Sequence, residues 1–463
     1  MEITGGALII LGLLIILWAA SLWLAKDPRS QPRFSWKSVL LSLFGVVWIG
    51  FGADFILRFL LLAYDPDYFQ ATTFPLTLLP PEVLSETFAY LALFWIFFCL
   101  GFLGLAFWTT SKPPKILAEM EQLVSLGMTP LLDVVAIVTT FLTIIPYFGL
   151  VPKALLVPLG RVAELCAVPA LIAWILYFRG EKIGTRRFIY LLPLALGYLL
   201  SPFRAHLVTL ILCILIPALQ FRKNVSFYKV FIGIFIFFIV STYFNNIYRT
   251  YLWGESARDS VNQTFSEEWE TWKRNPGISP WVLVANRFHG FDSMALTVYA
   301  VPEIFPYSDR NLLYEFMLTS FVPRLFMDVK PLQARGREFS TTIWALGLTG
   351  VAKRESAPIA PSLPGDLYSI HGVPIVILGA FIFGLLIGLL ENWLRGSTAT
   401  VKCIMLPIFW VGIAENVEQD FILGLGTIIQ YLIVFFIVFV ILNHYMAPAP
   451  QTKMGNNDTS ITF

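Results

Sequence analysis

Apolar runs of about twenty residues recur along almost the whole chain, and their length and number restrict what it can fold into. A helix needs about 20 largely apolar residues to cross the hydrocarbon core of a bilayer. In that core every backbone amide has to be satisfied within the segment, which leaves helices or closed barrels. Spans are expected near 6–24, 39–62, 87–109, 131–149, 155–178, 188–201, 205–220, 228–247, 372–393, 403–420 and 424–446. The sixth and seventh are short, with Pro202 between them, and read as either a tight hairpin or one broken helix. The expected fold is therefore all-α: a polytopic membrane protein of about eleven transmembrane helices. It would form a single membrane-embedded domain over 1–446, followed by a polar tail at 447–463. Charged residues make up 13% of the chain, against about 25% in soluble domains, which fits lipid as the solvent. The first run lacks a basic leader and a small-residue cleavage site, so it reads as a retained span.

Orientation follows from Lys and Arg in the short loops. The loop after the first span carries Lys26, Arg29, Arg33 and Lys37, and the next carries Asp65, Asp67 and Glu82 with no base. Alternate loops repeat the basic pattern with Lys112 and Lys115, then Arg179, Lys182, Arg186 and Arg187, then Arg222 and Lys223, then Arg395 and Lys402. These loops are expected on the cytoplasmic side, placing the N-terminus outside and the C-terminus inside. The stretch 116–128 reads equally as an amphipathic surface helix or a plain linker. Residues 248–371 become a large extracytoplasmic loop, with short surface or re-entrant helices expected near 281–301 and 311–326. A loop so long and aromatic usually folds onto its scaffold and carries function.

An ionisable group inside a span costs roughly 2.5–3.5 kcal/mol on insertion scales, so each calls for a reason. Asp54 and Arg58, Asp133, Arg161 and Glu164, Arg204 and His206, and the group Glu415, Glu418 and Asp420 are such residues. All but Asp133 fall in the expected outer half. The loop adds Arg249, Arg258, Arg287, His289, Arg324 and Lys330. Together they suggest an outward-facing polar cavity lined mainly by arginine, which suits fork-like recognition of phosphate. Local readings stand beside this one. Asp54 and Arg58 are spaced i, i+4 and Arg161 and Glu164 i, i+3, as intrahelical pairs would be. Arg249 fits an interfacial anchor, and Glu415 to Asp420 fit a solvated span end. The histidines His206, His289, His371 and His444 lack ligand spacing, and the four cysteines lie far apart, so no metal is expected. No Walker motif, Gly-x-Ser-x-Gly elbow or Cys/His dyad is present, and a net charge of +2 gives no nucleic-acid signal.

Three stretches resemble the bacterial oligosaccharide repeat-unit polymerases, the Wzy-type O-antigen and exopolysaccharide polymerases. They are SPFRAHLVTLIL at 201–212, the loop segments NNIYRTYLWGE at 245–255 and RFHGFDSM at 287–294, and PRLFMDVKP at 323–331 followed by PGDLYSIHGVPIVILGAFIFGLL. Phe203 and Ala205 flank Arg204, where the family often carries small residues. The resemblance implies polymerisation of undecaprenyl-pyrophosphate-linked repeat units at the outer face of the bacterial inner membrane. The acceptor hydroxyl would attack the anomeric carbon, and undecaprenyl pyrophosphate would leave with inversion, without metal, cofactor or nucleotide sugar. It implies pyrophosphate or glycan contacts for Arg204, Arg249, Arg287, Arg324 and Lys330, to which the clustered charges add His289, Arg58 and Arg161, and proton removal by Glu415 or His371. A chain-length regulator and a flippase would be partners. The rival readings are an O-antigen ligase with the same donor, a lipid-linked glycan transporter, and a structural or sensory membrane protein.

Overall fold

The computed structural model describes residues 4–25, 36–64, 79–106, 129–145, 167–181, 183–200, 204–222, 288–309 and 361–418, with isolated positions elsewhere. Among these residues every regular element is helical. α1 (Gly5–Ser21) is capped by Thr4, whose hydroxyl accepts the Ala7 N–H at 3.2 Å, and it runs on into a 3₁₀ turn. α2 (Trp36–Leu40) leads to α3 (Leu43–Phe51), where the Ser42 hydroxyl accepts the Gly45 N–H at 2.9 Å. A π-helical turn, Gly52–Leu57, carries α3 straight into α4 (Arg58–Tyr64). Then come α5 (Pro81–Ala106), α6 (Thr129–Ile144), α7 (Ala167–Arg179), the short α8 (Arg186–Ile189), α9 (Leu192–Leu200) and α10 (Arg204–Phe221). The last four are α11 (Gly290–Ala300), α12 (Leu363–His371), α13 (Val373–Gly396) and α14 (Ala399–Glu418).

Four rods are long and apolar enough to cross a membrane: Gly5–Leu24, Leu43–Tyr64, Pro81–Ala106 and Val373–Gly396. At about 1.5 Å per residue each reaches the roughly 30 Å of a hydrocarbon core. They overlap the expected spans 6–24, 39–62, 87–109 and 372–393. Within the other expected spans the described residues form the helices Thr129–Ile144, Ala167–Arg179, Leu192–Leu200, Arg204–Phe221 and Ala399–Glu418, of which Leu132–Ile144, Ala167–Arg179 and Val208–Phe221 are apolar stretches of 10–17 residues. Of the pair around Pro202, α9 packs back on α10, which favours the hairpin over a single broken helix. The expected spans 228–247 and 424–446, the stretch 116–128 and the tail 447–463 lie wholly or largely outside the described residues.

The tightest seam joins α5 and α13, which run side by side in the same direction. A Cβ placed on Gly384 would fall 2.1 Å from the Phe98 carbonyl oxygen, one on Gly388 2.5 Å from that of Phe102, and one on Gly101 2.1 Å from that of Phe381. Between apolar helices in lipid no hydrophobic drive remains, so close backbone approach at small residues supplies the dispersion contact. Around the seam an aromatic core fills in, with Phe44 against Phe98 and Phe102, and Phe51 against Phe94 and Trp95. Trp18 and Trp48 stack at 4.0 Å, and each indole N–H donates to the other's backbone carbonyl, tying α1 to α3. A second core gathers Leu132, Ala136, Leu171, Trp174, Tyr190, Leu194 and Cys213 from α6, α7, α9 and α10.

Side-chain ties sort the segments into two ends. At one end Lys37 donates to the Arg222 carbonyl at 3.0 Å, Arg395 donates to the Leu24 carbonyl at 3.3 Å, and Arg179 meets the Thr400 hydroxyl. Asp133 joins this group through Arg186 at 3.8 Å and Tyr190 at 2.5 Å. These are the loops that the Lys/Arg bias assigns to one side, and here they meet. At the other end Thr4 and Ser85 approach at 3.4 Å, beside the starts of α1 and α5.

The seam gives a direct test. Gly384→Val forces a Cβ onto backbone rather than onto a movable side chain, and overpacking of this kind costs about 1–3 kcal/mol or more. Thermal unfolding of the detergent-solubilised chain should show a clear fall in Tm. Gly12→Ala, with nothing within 4 Å of the added carbon, should leave Tm within scatter.

Candidate functional site

The end opposite the basic loops is organised by a helix too short to cross a membrane. α11 has 11 residues, about 16 Å of rise, and all but Tyr299 are buried. Its first turn carries Asp292, whose carboxylate receives the Arg58 guanidinium in a fork: Nη2 donates at 2.7 Å and Nε at 3.2 Å to both oxygens. Both side chains are at 0% exposure. Gly290, at the start of α11, lies so close to α3–α4 that a Cβ there would sit 3.0 Å from the Cβ of Asp54. The π turn places Asp54 on this packed face, and Phe59, Phe88 and Phe291 close around it. Of the short surface or re-entrant helix expected near 281–301, the described part is α11, and 281–287 lie outside the described residues.

α12 then seats on α11. Ser362 caps α12 with its hydroxyl, and its backbone N–H donates to the Ser293 hydroxyl at 3.1 Å. The turn from α12 into α13 uses Gly372 at φ +67°, a conformation glycine adopts without steric cost. A Cβ there would also meet the Tyr307 hydroxyl at 2.9 Å. The segment after α11 is docked on α12 by the Ser308 N–H donating to the Ser369 carbonyl at 2.9 Å. Tyr307 thereby lies 6.4 Å from the rings of both Tyr368 and His371, and Tyr368 stacks on Tyr90 at 5.2 Å. Burial, followed by the nearby Tyr90 and Tyr307, pushes the Tyr368 hydroxyl well above its usual range. It therefore serves as a neutral phenol. Tyr307, His371 and Glu86 are exposed, and Tyr90 is half-buried.

The structure places the expected site residues unequally. His371 ends α12 in the open, and His289 immediately precedes α11. Arg204 opens α10 and Glu415 lies on the last turn of α14, as backbone positions. Arg161, Arg249, Arg287, Arg324 and Lys330 lie outside the described residues, as does all but the edge of the expected helix near 311–326. Arg58 departs from its expected part as a cavity-facing ligand. Its guanidinium is sealed against Asp292, 234 positions away, and works as a tie between segments. Sequence reasoning passed over two acids. Asp292 lay within RFHGFDSM and the expected helix near 281–301 but drew no role, because no local spacing links it to Arg58. Glu391, 4% exposed, accepts the Leu43 N–H at 2.7 Å at the start of α3, and it receives Arg395 at 3.2 Å. The ionisable Glu391 inside the expected span 372–393, spaced i, i+4 from Arg395 in the next loop, was the signal that could have exposed it. Among the described residues no group of three or more His, Cys, Asp or Glu side chains is placed to hold a metal ion.

Among the described residues, fold and site define an all-helical protein with four helices of membrane-crossing length and composition, and a half-length buried helix at one end. The chain belongs to the family described as a domain of unknown function, DUF8712, whose model matches residues 79–447. That match takes in the α11–α12 site and the α5–α13 seam, while Arg58 lies N-terminal to it. No curated protein and no solved structure matches the chain.

Removing either member of the buried pair strands the other charge, and such losses cost about 3–5 kcal/mol. Arg58→Met and Asp292→Leu should each lower Tm in detergent sharply. The double variant, with no charge left to bury, should recover most of the loss in a double-mutant cycle.

Proposed function

We propose that this chain is a polymerase of lipid-pyrophosphate-linked oligosaccharides, working at the outer face of the bacterial cytoplasmic membrane through about eleven spans. The observation that carries the reading is the gathering of exposed His371 and Tyr307 around the buried α11, at the end opposite the basic loops. On the positive-inside rule the basic end is cytoplasmic, so this end is extracytoplasmic. The large loop 248–371 contributes both the half-length helix and its aromatic surroundings. Its arginines, Arg249, Arg287 and Arg324, with Lys330 and with Arg204 at the start of α10, supply permanent positive charge for a pyrophosphate.

In the proposed reaction the donor is the growing glycan on its lipid pyrophosphate. The acceptor is the terminal sugar of a new lipid-linked repeat unit. The acceptor oxygen forms a bond to the anomeric carbon as the carbon–oxygen bond to pyrophosphate breaks. The electron pair leaves with the lipid pyrophosphate, whose charge pre-placed arginines stabilise. The acceptor proton passes to His371 or Glu415. His371 is exposed at the end of α12, where an acceptor can reach it.

Deleting the gene in its host and running the surface polysaccharide on a gel tests the reading. Loss of the long-chain ladder with single repeat units remaining, restored by wild type but not by Arg324→Ala, is expected. An unchanged ladder overturns both polymerase and ligase. Loss of even the single unit on its acceptor points to the ligase. Glu415→Gln combined with His371→Ala, at normal expression, should slow polymerisation by roughly 10²-fold if either takes the proton.

A further inference from the structure

We infer that Tyr307, Tyr90 and His371 form a carbohydrate subsite in which a pyranose ring of the acceptor glycan stacks on Tyr307. This deepens the polymerase reading and rests on it for the identity of the glycan. An aromatic face with a few convergent polar groups is the usual chemistry of a small-ligand site, and the apolar C–H face of a sugar packs well on a flat ring. Tyr307 is 38% exposed yet held from below. The Ser308–Ser369 backbone bond fixes its segment, and its hydroxyl rests against Gly372, where any side chain would displace it. Tyr368, stacked on Tyr90, forms the floor beside it.

The polar groups around the ring fit a sugar's hydroxyls. His371 presents its imidazole beside Tyr307, and the exposed carboxylate of Glu86, one helical turn before Tyr90 on α5, meets the Tyr90 hydroxyl. Carboxylate and imidazole accept from hydroxyls, whereas the two phenols both donate and accept. Among the described residues, the groups beside Tyr307 and Tyr90 are an imidazole and a carboxylate, which suit a sugar's hydroxyls. The pairing of Tyr307 with His371 sets a stacked sugar's hydroxyl beside the group proposed to take its proton. The arginines are then left for the donor's pyrophosphate.

The test is binding by the full chain in nanodiscs, using oligosaccharide repeat units released from the host's own surface polysaccharide and measured by saturation-transfer NMR. Tyr307→Ala should weaken binding roughly tenfold, about the value of one aromatic contact. Tyr307→Phe should bind nearly as wild type, and Tyr64→Ala, an exposed tyrosine outside the group, should be silent. Wild-type affinity in a Tyr307→Ala protein of unchanged Tm overturns the subsite, as does failure of the wild type to bind. If binding depends on Tyr307 while the gene deletion leaves the ladder intact, the subsite stands and the polymerase reading falls.

Discussion

The buried fork between Arg58 and Asp292 is the interaction on which the rest of the α11–α12 end depends. Two ions at 0% exposure each carry a desolvation penalty of several kcal/mol, and only near-ideal geometry repays it. The 2.7 Å Nη2 contact and the paired Nε contacts supply that geometry. What the pair gains is register. α11 is a short buried helix that slides easily on an apolar surface, and the fork fixes it against the rod Leu43–Tyr64. With α11 fixed, Ser293 meets the start of α12, α12 sets the Gly372 turn, and that turn places both Tyr307 and the origin of α13.

The two ends of the molecule are built on different physical terms. At the basic end, long cations reach backbone carbonyls and hydroxyls, as Lys37, Arg179 and Arg395 do, and Glu391 lends a full charge to the start of α3. A carboxylate at a helix N-terminus is favoured by the helix dipole. At the opposite end the Arg58–Asp292 pair is sealed, and the accessible groups include Tyr307, His371 and the carboxylate of Glu86. Between them the α5–α13 seam is almost pure van der Waals contact, with backbones brought together at glycines. A rigid shaft with unlike ends suits a protein whose two faces meet different solutions.

Much of the shaft was legible in the sequence, because twenty-residue apolar runs and a Lys/Arg alternation are strong one-dimensional signals. The four longest helices fall where those runs lie, and the basic loops meet as the alternation requires. The site was legible only in part. His289 was marked by its place among the apolar patches of an aromatic loop, and His371 through the family resemblance. The partner of Arg58 was not, since its nearest acid, Asp54, offered an i, i+4 explanation that satisfied every local rule. The tyrosines were unmarked because Tyr90 sits in a span, where aromatic residues pass as lipid-facing or core. Only the fold shows that Tyr90, Tyr307 and Tyr368 converge.

The central claim is that the α11–α12 end faces away from the cytoplasm. With native cysteines replaced, single cysteines at Glu303 and at Thr398, both exposed and at opposite ends, can be labelled by a membrane-impermeant maleimide in spheroplasts. Labelling of Glu303→Cys in intact spheroplasts, and of Thr398→Cys only after permeabilisation, is the result this account predicts. The reverse pattern would put the tyrosine and histidine group in the cytoplasm and contradict it.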